Sequence, residues 1–409
     1  MNPNSSLMGF DDALAVVLRH AGAITPPPTE SVALAECRGR VLAGPLAADR
    51  DQPPFNRSAR DGFAVRAADL HAGPLIAAGS LRAGESWTQG ALAAGTAIEI
   101  MTGAPVPSGA DAVVMVEHTV AAGEGQIALA EGRTLSAGEH IIPAGSEAKQ
   151  GQALLLPGQR LGASEIALAA ACGAETLMVY RRPRVAILAT GDELVELAET
   201  PLPHQIRNSN SYAMAALVEE AGGEAVRLPI AGDTRASLDA AIHGAQDCEL
   251  LLLSGGVSAG KYDLVEPVLE AIGAEFFFTG VRMQPGKPVV FGRIPARGQY
   301  FFGLPGNPVS TQVTFLVFAR AMVAALGGAG AEYPRFVMGI LRDEARVKPG
   351  LTRFIPAVWT PRRERPEVTI VTTQGSGDLA ANARANCYMV VPDDVSSIPA
   401  GSNVTVLMR

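Results

Sequence analysis

The order of apolar runs predicts a multidomain α/β protein. Its centre is a doubly wound, mostly parallel α/β domain, joined by a β-rich domain, a small helical or mixed domain and a C-terminal β-barrel-like domain. Three observations lead there. The chain has 409 residues, more than one ordinary core accommodates. From about 181 to 327, apolar strand-like runs alternate with helical stretches, the pattern of right-handed crossovers between parallel strands. On both sides of that stretch the segments are short, β-branched and punctuated by Gly and Pro.

Taken in order, residues 10–22 predict an amphipathic helix with Leu14, Val17 and Leu18 on one side, Asp11 or Asp12 as its cap and Gly22 as its stop. Thr25-Pro26-Pro27-Pro28 is a linker. Between 51 and 145, runs such as 97–100 and 112–116 predict short strands. Ser164 is expected to cap a helix ending near Gly173, and 176–180 to form a strand. Residues 185–189 are a continuous apolar run of buried-strand type, followed by a helix over 208–221 that Gly222 closes. A strand at 224–230, a helix at 235–245, the strand Leu250-Leu251-Leu252-Leu253 and a helix at 263–272 continue the alternation. Strands at 276–278, 289–292 and 300–302 precede a long helix over 308–326. Gly327-Gly328-Ala329-Gly330 marks a boundary, and 333–409 predicts a small β-domain. The expected division is 1–50 with 145–180 (mixed, helical, dimerising), 51–144 (β-rich), 181–327 (α/β) and 328–409 (β).

A formal charge of -8 argues against nonspecific nucleic-acid binding, which needs clustered Lys and Arg. Residues 1–10 lack the basic and apolar regions of a secretory signal. The apolar stretch 313–326 is interrupted by Arg320 and is too short to span a bilayer. A soluble, cytoplasmic protein that binds neither nucleic acid nor membrane is expected. Cys37, Cys172, Cys248 and Cys387 lie far apart without zinc spacing, as suits buried thiols in a reducing compartment.

In open α/β sheets, ligands sit beyond the carboxyl ends of the strands, so the loops after the apolar strands are the place to look for chemistry. Three stand out: Thr190-Gly191-Asp192-Glu193, the run 254–260 with Ser254, Gly255, Gly256 and Ser258, and Gly303-Leu304-Pro305-Gly306-Asn307-Pro308. Gly-rich turns entering helices let backbone N–H groups converge on an anion, and phosphate is the natural guest. The competing explanation is that tight turns use Gly for geometry alone. Gly255 through Lys261 fits G-x-x-x-x-G-K, but Tyr262 stands where a nucleotide-binding loop needs Ser or Thr, so a conventional nucleoside triphosphatase is disfavoured. Asp192, Glu193, Asp233 and Asp263 beside an anion site imply a hard cation, although Asp233 and Asp263 also suit helix caps. The 283–288 turn, with Pro285, Gly286, Lys287 and Pro288, offers a fixed ammonium; a solvated surface lysine is the alternative.

Together these loops resemble the molybdopterin molybdenumtransferase family, the MoeA proteins and the E domain of gephyrin. Ser58-Ala59-Arg60-Asp61-Gly62-Phe63-Ala64, Met101-Thr102-Gly103-Ala104-Pro105-Val106-Pro107 and Gly375-Ser376-Gly377 extend the likeness over nearly the whole chain. The resemblance implies an elongated homodimer of four-domain subunits. It implies a site between the α/β domain of one subunit and the β-rich part of its partner. It also implies a reaction: adenylylated molybdopterin and molybdate bind with Mg2+, and AMP leaves as molybdenum cofactor forms. Asp61, Thr102, Glu193, Asp233 and Asp263 match the family's functional polar positions, with Glu193 and Asp263 as metal ligands. Ser258, Lys287, Ser310 and Ser376 match positions that cradle phosphate or molybdate. Molybdopterin adenylyltransferase and molybdoenzyme acceptors are the implied partners.

The chain departs from the family pattern in four places. Gln284 stands where a Lys is usual, Arg60 where a Met is usual, and 142–147 replaces an Arg-x-x-Gly-Glu-Asp run. Gly350-Leu351-Thr352-Arg353-Phe354-Ile355-Pro356 replaces Gly-Arg-x-Glu-Phe-x-Arg. Arg353, two positions beyond the lost Arg on a strand-like segment, is expected to face the same side, which permits it to substitute. Two other functions stay open: an adenylyltransferase acting on molybdopterin, and a scaffold that binds molybdopterin without catalysis.

Overall fold

The computed structural model describes residues 7–256 and 264–409. Its contacts divide the chain into two units, one of Met1–Ala43, Gly158–Gly162 and Leu177–Arg409, the other of Gly44–Pro157 and Ala163–Thr176.

The centre of the first unit is a six-stranded sheet in the order Glu224–Arg227, Arg184–Ala189, Leu250–Ser254, Gln299–Leu304, Val290–Ile294 and Glu275–Thr279. The first four strands are parallel, and Val290–Ile294 runs against both of its neighbours. The sheet is doubly wound because both faces are apolar. Val185, Ile187, Leu250, Leu252 and Phe302 pack on Met214, Phe315 and Phe318. Ala186, Leu188, Leu251, Leu253 and Phe301 pack on Leu238, Ile242, Val268 and Leu269. That is why the strands read as unbroken apolar runs.

Several local expectations are corrected. The first helix, Phe10–Gly22, follows Gly9 and has no side-chain cap; Asp11 and Asp12 lie in its first turn, where the helix dipole favours negative charge. Its apolar side joins the core of the α/β layer, with Phe10 5.9 Å from the Phe318 ring and 5.2 Å from that of Phe354. Ser164 lies inside the helix Ala163–Ala171. Asn210–Glu220 starts later than expected, and the buried Asn208 accepts the Ser211 N–H at 3.2 Å. The long helix runs over Pro308–Leu326, as expected, and the whole helix rather than 313–326 alone is long enough to compare with a bilayer span. By length and composition it passes for a membrane span. It is instead the buried core helix of this unit, with even Arg320 only 9% exposed.

The C-terminal segment closes a five-stranded barrel. Thr352–Thr360, Glu367–Ile370, Phe336–Leu341, Asn403–Met408 and Cys387–Val391 follow one another, and Cys387–Val391 pairs back to Thr352–Thr360. Ala357, Val368, Met389 and Val406 fill the interior. A short helix, Leu379–Arg384, interrupts the expected all-β pattern; Asp378 caps it by accepting the Ala381 N–H at 2.9 Å.

In the second unit, a mixed sheet is ordered Ala112–Met115, Gly62–Val65, Thr96–Ile100, Leu75–Leu81, Gln126–Leu129 and Thr119–Gly123. Alternate residues serve two cores, with Val65, Ala97 and Val114 on one face and Ala64, Ile98 and Val113 on the other. All four cysteines are free and buried.

Candidate functional site

Two of the three Gly-rich loops and the start of the third meet at the carboxyl ends of Arg184–Ala189, Leu250–Ser254 and Gln299–Leu304. The loops are joined through their backbones. Thr190 N–H donates to Ser254 O at 3.0 Å, and Gly255 N–H to Leu304 O at 3.2 Å. A Cβ on Gly255, whose φ is +96°, would lie 2.7 Å from Thr190 O, so only glycine allows this approach. Asn210 completes the junction: its Nδ2 donates to Ser254 Oγ at 2.8 Å and to Gly306 O at 2.7 Å.

A cavity of about 730 Å³ opens on this junction, lined by Thr190, Glu193, Asn208, Asn210, Ser254, Gly255, Gly306, Asn307 and Gly377, among others. Gly191 and Gly256 belong to the same loops without lining it. Beside it lies a cavity of about 610 Å³ that shares Asn307 and is lined by Lys287, Pro288, Pro305, Ser310, Arg353 and Ser376. The 283–288 turn is closed by the Val281 N–H donating to Lys287 O at 2.9 Å, and Lys287 itself is exposed at its tip. The start of the long helix offers fewer free N–H groups than the loop sequence suggests. Pro308 has no N–H, and the Val309 N–H donates to Ser376 O at 3.0 Å, so this terminus is already used in part by the barrel segment.

The carboxylates fall into three groups. Glu193 lines the first cavity. Asp233 does not; it is exposed and exchanges hydrogen bonds with Asp192, the Asp233 N–H donating to Asp192 Oδ1 at 3.1 Å and the Asp192 N–H to Asp233 Oδ2 at 3.4 Å. This pair fixes the first loop. The helix cap there is Thr234, which accepts the Ser237 N–H, so capping is not the role of Asp233. Asp263 and Ser258 lie outside the described residues. In the second unit, Asp61 Oδ1 accepts both the N–H and the Oγ1–H of Thr102, at 2.6 and 2.8 Å. These bonds, the backbone one first, hold the Asp61 carboxyl below its ordinary value. Gly62 is required beside it, since a Cβ there would fall 1.9 Å from Val114 O.

No three of His, Cys, Asp or Glu gather as a metal cage among the described residues. Mg2+ does not need a cage, because it binds through one or two carboxylates and completes its shell with water and substrate phosphate. Glu193 fits that requirement. Beside it, the buried Thr190 Oγ1 has no hydrogen-bond partner among the described residues and is a polar atom suited to a bound ligand.

Sequence reasoning missed Asn210 and Lys348. Asn210 carries no motif beyond standing at a helix start. Lys348 lines the second cavity from the turn before Thr352–Thr360.

A doubly wound sheet with Gly-rich loops at its carboxyl edge, a closed barrel on the same unit and a separate mixed-sheet unit define a multidomain α/β protein. Family models match the chain three times in succession: the MoeA N-terminal region (domain I and II) over 8–173, the probable molybdopterin binding domain over 186–325, and the MoeA C-terminal region (domain IV) over 339–408. The chain belongs to the molybdopterin molybdenumtransferase family. It is 36% identical to a protein of that name from Nostoc sp., over 93% of this chain and 88% of the relative. It is 32% identical to one from Haemophilus influenzae, over 93% and 94%. The molybdopterin biosynthesis moeA protein from Pyrococcus horikoshii OT3 matches with a TM-score of 0.78 at 27% identity, covering 99% of this chain and 100% of that one.

Proposed function

We propose that this chain inserts molybdate into adenylylated molybdopterin with Mg2+-dependent release of AMP, giving molybdenum cofactor. The observation that carries this reading is the pair of adjoining cavities with Asn307 in common. Neutral Ser, Thr, Asn and backbone donors beside Glu193 suit a diphosphate, whose charge is spread over many oxygens. Lysine and arginine groups suit a free dianion. Hydrolysis of the diphosphate adds water across one P–O bond, leaving AMP and the phosphate of the pterin. Bound Mg2+ neutralises diphosphate charge. Glu193 and Asp263 hold it; Thr190, Ser254 and Asn307 orient the diphosphate; Lys287, Ser310 and Ser376 hold molybdate. Asp233 keeps the first loop in position through Asp192.

The chain acts in this reading as a cytoplasmic homodimer in which the Asp61–Thr102 pair serves the partner chain's cavity. The division into 1–50 with 145–180, 51–144, 181–327 and 328–409 belongs to the same reading. A molybdopterin adenylyltransferase supplies the substrate and molybdoenzymes accept the product.

The test is to incubate purified protein with adenylylated molybdopterin and follow AMP while Mg2+ and molybdate are added separately and together. AMP should appear with both present and stop on chelation. ATP consumption would instead identify an adenylyltransferase, and tight pterin binding without AMP release a scaffold.

A further inference from the structure

Arg320 lies within the buried helix Pro308–Leu326 and is only 9% exposed, yet it meets none of the partners that a buried guanidinium requires. Its Nε is enclosed and has no hydrogen-bond partner, and no carboxylate stands within ion-pair distance of the side chain, among the described residues. A guanidinium carries five N–H groups, and burying it unpaired is costly. Of its three nitrogens, Nε alone is both enclosed and unpartnered. The two Nη groups keep the remaining exposure, so a small ion can reach them from solvent.

The charges around Arg320 deepen this deficit. Burial holds its guanidinium below the ordinary value, and the neighbour that adds most to the effect is a second cation, Arg335. Arg160 acts in the same direction, and Glu332 and Glu220 oppose it. Glu332 is already engaged: its Oε1 accepts from an Arg160 Nη at 3.0 Å. Arg160 is anchored as well, donating to Gly39 O at 3.1 Å and to Ala221 O at 3.3 Å. Glu220 ends the helix Asn210–Glu220 at an exposed position. Arg335 is exposed, and its side chain has neither a hydrogen bond nor an ion pair among the described residues. Its backbone is fixed, because its carbonyl accepts the Met408 N–H of the barrel at 2.9 Å.

We infer that Arg320 and Arg335, backed by Arg160, form a binding site for a small tetrahedral oxyanion of the phosphate class. Two guanidiniums that repel each other, each without a carboxylate partner, are answered by an anion that accepts from both, and planar guanidinium forks match tetrahedral oxyanions. The site is separate from the two adjoining cavities. Ser310 stands at the other end of the same helix, about 15 Å away along an α-helical axis. An anion held here joins the core helix to the segment that enters the barrel at Phe336–Leu341, so its effect is on stability rather than on the chemistry of those cavities.

The test is a melting series on the full-length protein in sodium phosphate and in sodium chloride of equal ionic strength, with the Arg320→Met, Arg335→Gln and Lys287→Gln variants beside the wild type. Lys287→Gln controls for phosphate taken up by the cavity that Lys287 lines. Phosphate should raise the melting temperature of the wild type and of Lys287→Gln above the chloride value, and the rise should vanish in both arginine variants. Calorimetric titration with sodium phosphate in the Lys287→Gln background should show binding roughly tenfold weaker once Arg335→Gln is added, the effect of losing one charge-assisted hydrogen bond. Arg335 is exposed, so Arg335→Gln carries the test should Arg320→Met not fold. No rise in the wild type, a rise retained in either folded arginine variant, or undiminished phosphate affinity after Arg335→Gln overturns the assignment. A rise lost in Lys287→Gln also overturns it, by placing the anion in the other cavity.

Discussion

At the scale of single residues, Asp61 shows how a motif residue is tuned by its neighbours. Two donors from Thr102 converge on one carboxylate oxygen, and hydrogen bonds to the charged form lower a carboxyl pKa. Because the folded value is depressed, the stabilising effect on the 101–103 turn is present above the ordinary aspartate value of 3.8 and is lost as pH falls through the lower, folded one. The carboxylate is therefore expected to remain ionised through the mildly acidic range. Thr102→Val removes the hydroxyl bond and keeps the backbone one, so it should raise the titration midpoint part of the way toward the ordinary value, as read by carbon-detected NMR; a midpoint that does not move would mean that the Thr102 hydroxyl is not a cause. The sequence displayed Asp61 and Thr102 only as separate motif members, 41 positions apart. Their hydrogen bonds follow from the pairing of Gly62–Val65 with Thr96–Ile100, which sets Gly62 beside Ile100 and which no local pattern announces.

At the scale of elements, alternating strands and helices were legible because the sheet is covered on both faces, and full burial writes itself as continuous apolar runs. The three loops were legible for a related reason: glycine is needed where backbones touch. What joins them was not. Asn210 connects two loops 44 and 96 positions away, and a lone asparagine at a helix start has no signature. Asn210→Ala should cost about 1–3 kcal/mol, as expected when the buried Ser254 hydroxyl loses its donor, and should weaken binding of adenylylated molybdopterin. Urea unfolding and a binding titration measure the two effects; a variant as stable and as tight as wild type would remove Asn210 from the site. Gly255→Ala should be worse, since its Cβ meets a backbone oxygen rather than a yielding side chain. The register of Gln284 with Arg353 was likewise invisible, because it pairs strands that lie far apart in the chain. Counting positions along one strand places Arg353 on the right face but says nothing about its neighbour.

At the scale of the molecule, closure of the barrel and its attachment to the long helix depend on buried polar groups that the sequence scatters. Tyr388 Oη–H donates to Asn382 Oδ1 at 2.8 Å, Asn382 Nδ2 donates to Gln312 Oε1 at 3.0 Å, and an Arg409 Nη donates to the same Gln312 oxygen at 3.2 Å. This chain of bonds fastens the barrel to Pro308–Leu326, next to Ser310 and the Ser376 carbonyl that meets the Val309 N–H. Asn382→Leu leaves the buried Tyr388 hydroxyl without its acceptor, at about 1–3 kcal/mol, and leaves Gln312 Oε1 with Arg409 as its remaining donor. Differential scanning calorimetry should show a lower-melting barrel transition; a single unshifted peak would refute the coupling.

The homodimer makes a sharper demand on the whole molecule. If the Asp61–Thr102 pair of one chain serves the cavity containing Glu193 of its partner, then Asp61→Asn and Glu193→Gln damage different halves of one composite site. Each homodimer should be inactive on its own. Mixed and re-equilibrated subunits should regain about a quarter of wild-type AMP release, because random pairing makes half the dimers mixed and each mixed dimer rebuilds one of its two sites from intact halves. Light scattering on the same samples reports whether the chain is dimeric. If Asp61 instead serves the cavity of its own chain, every mixed dimer carries one defect in each site, and mixing restores nothing.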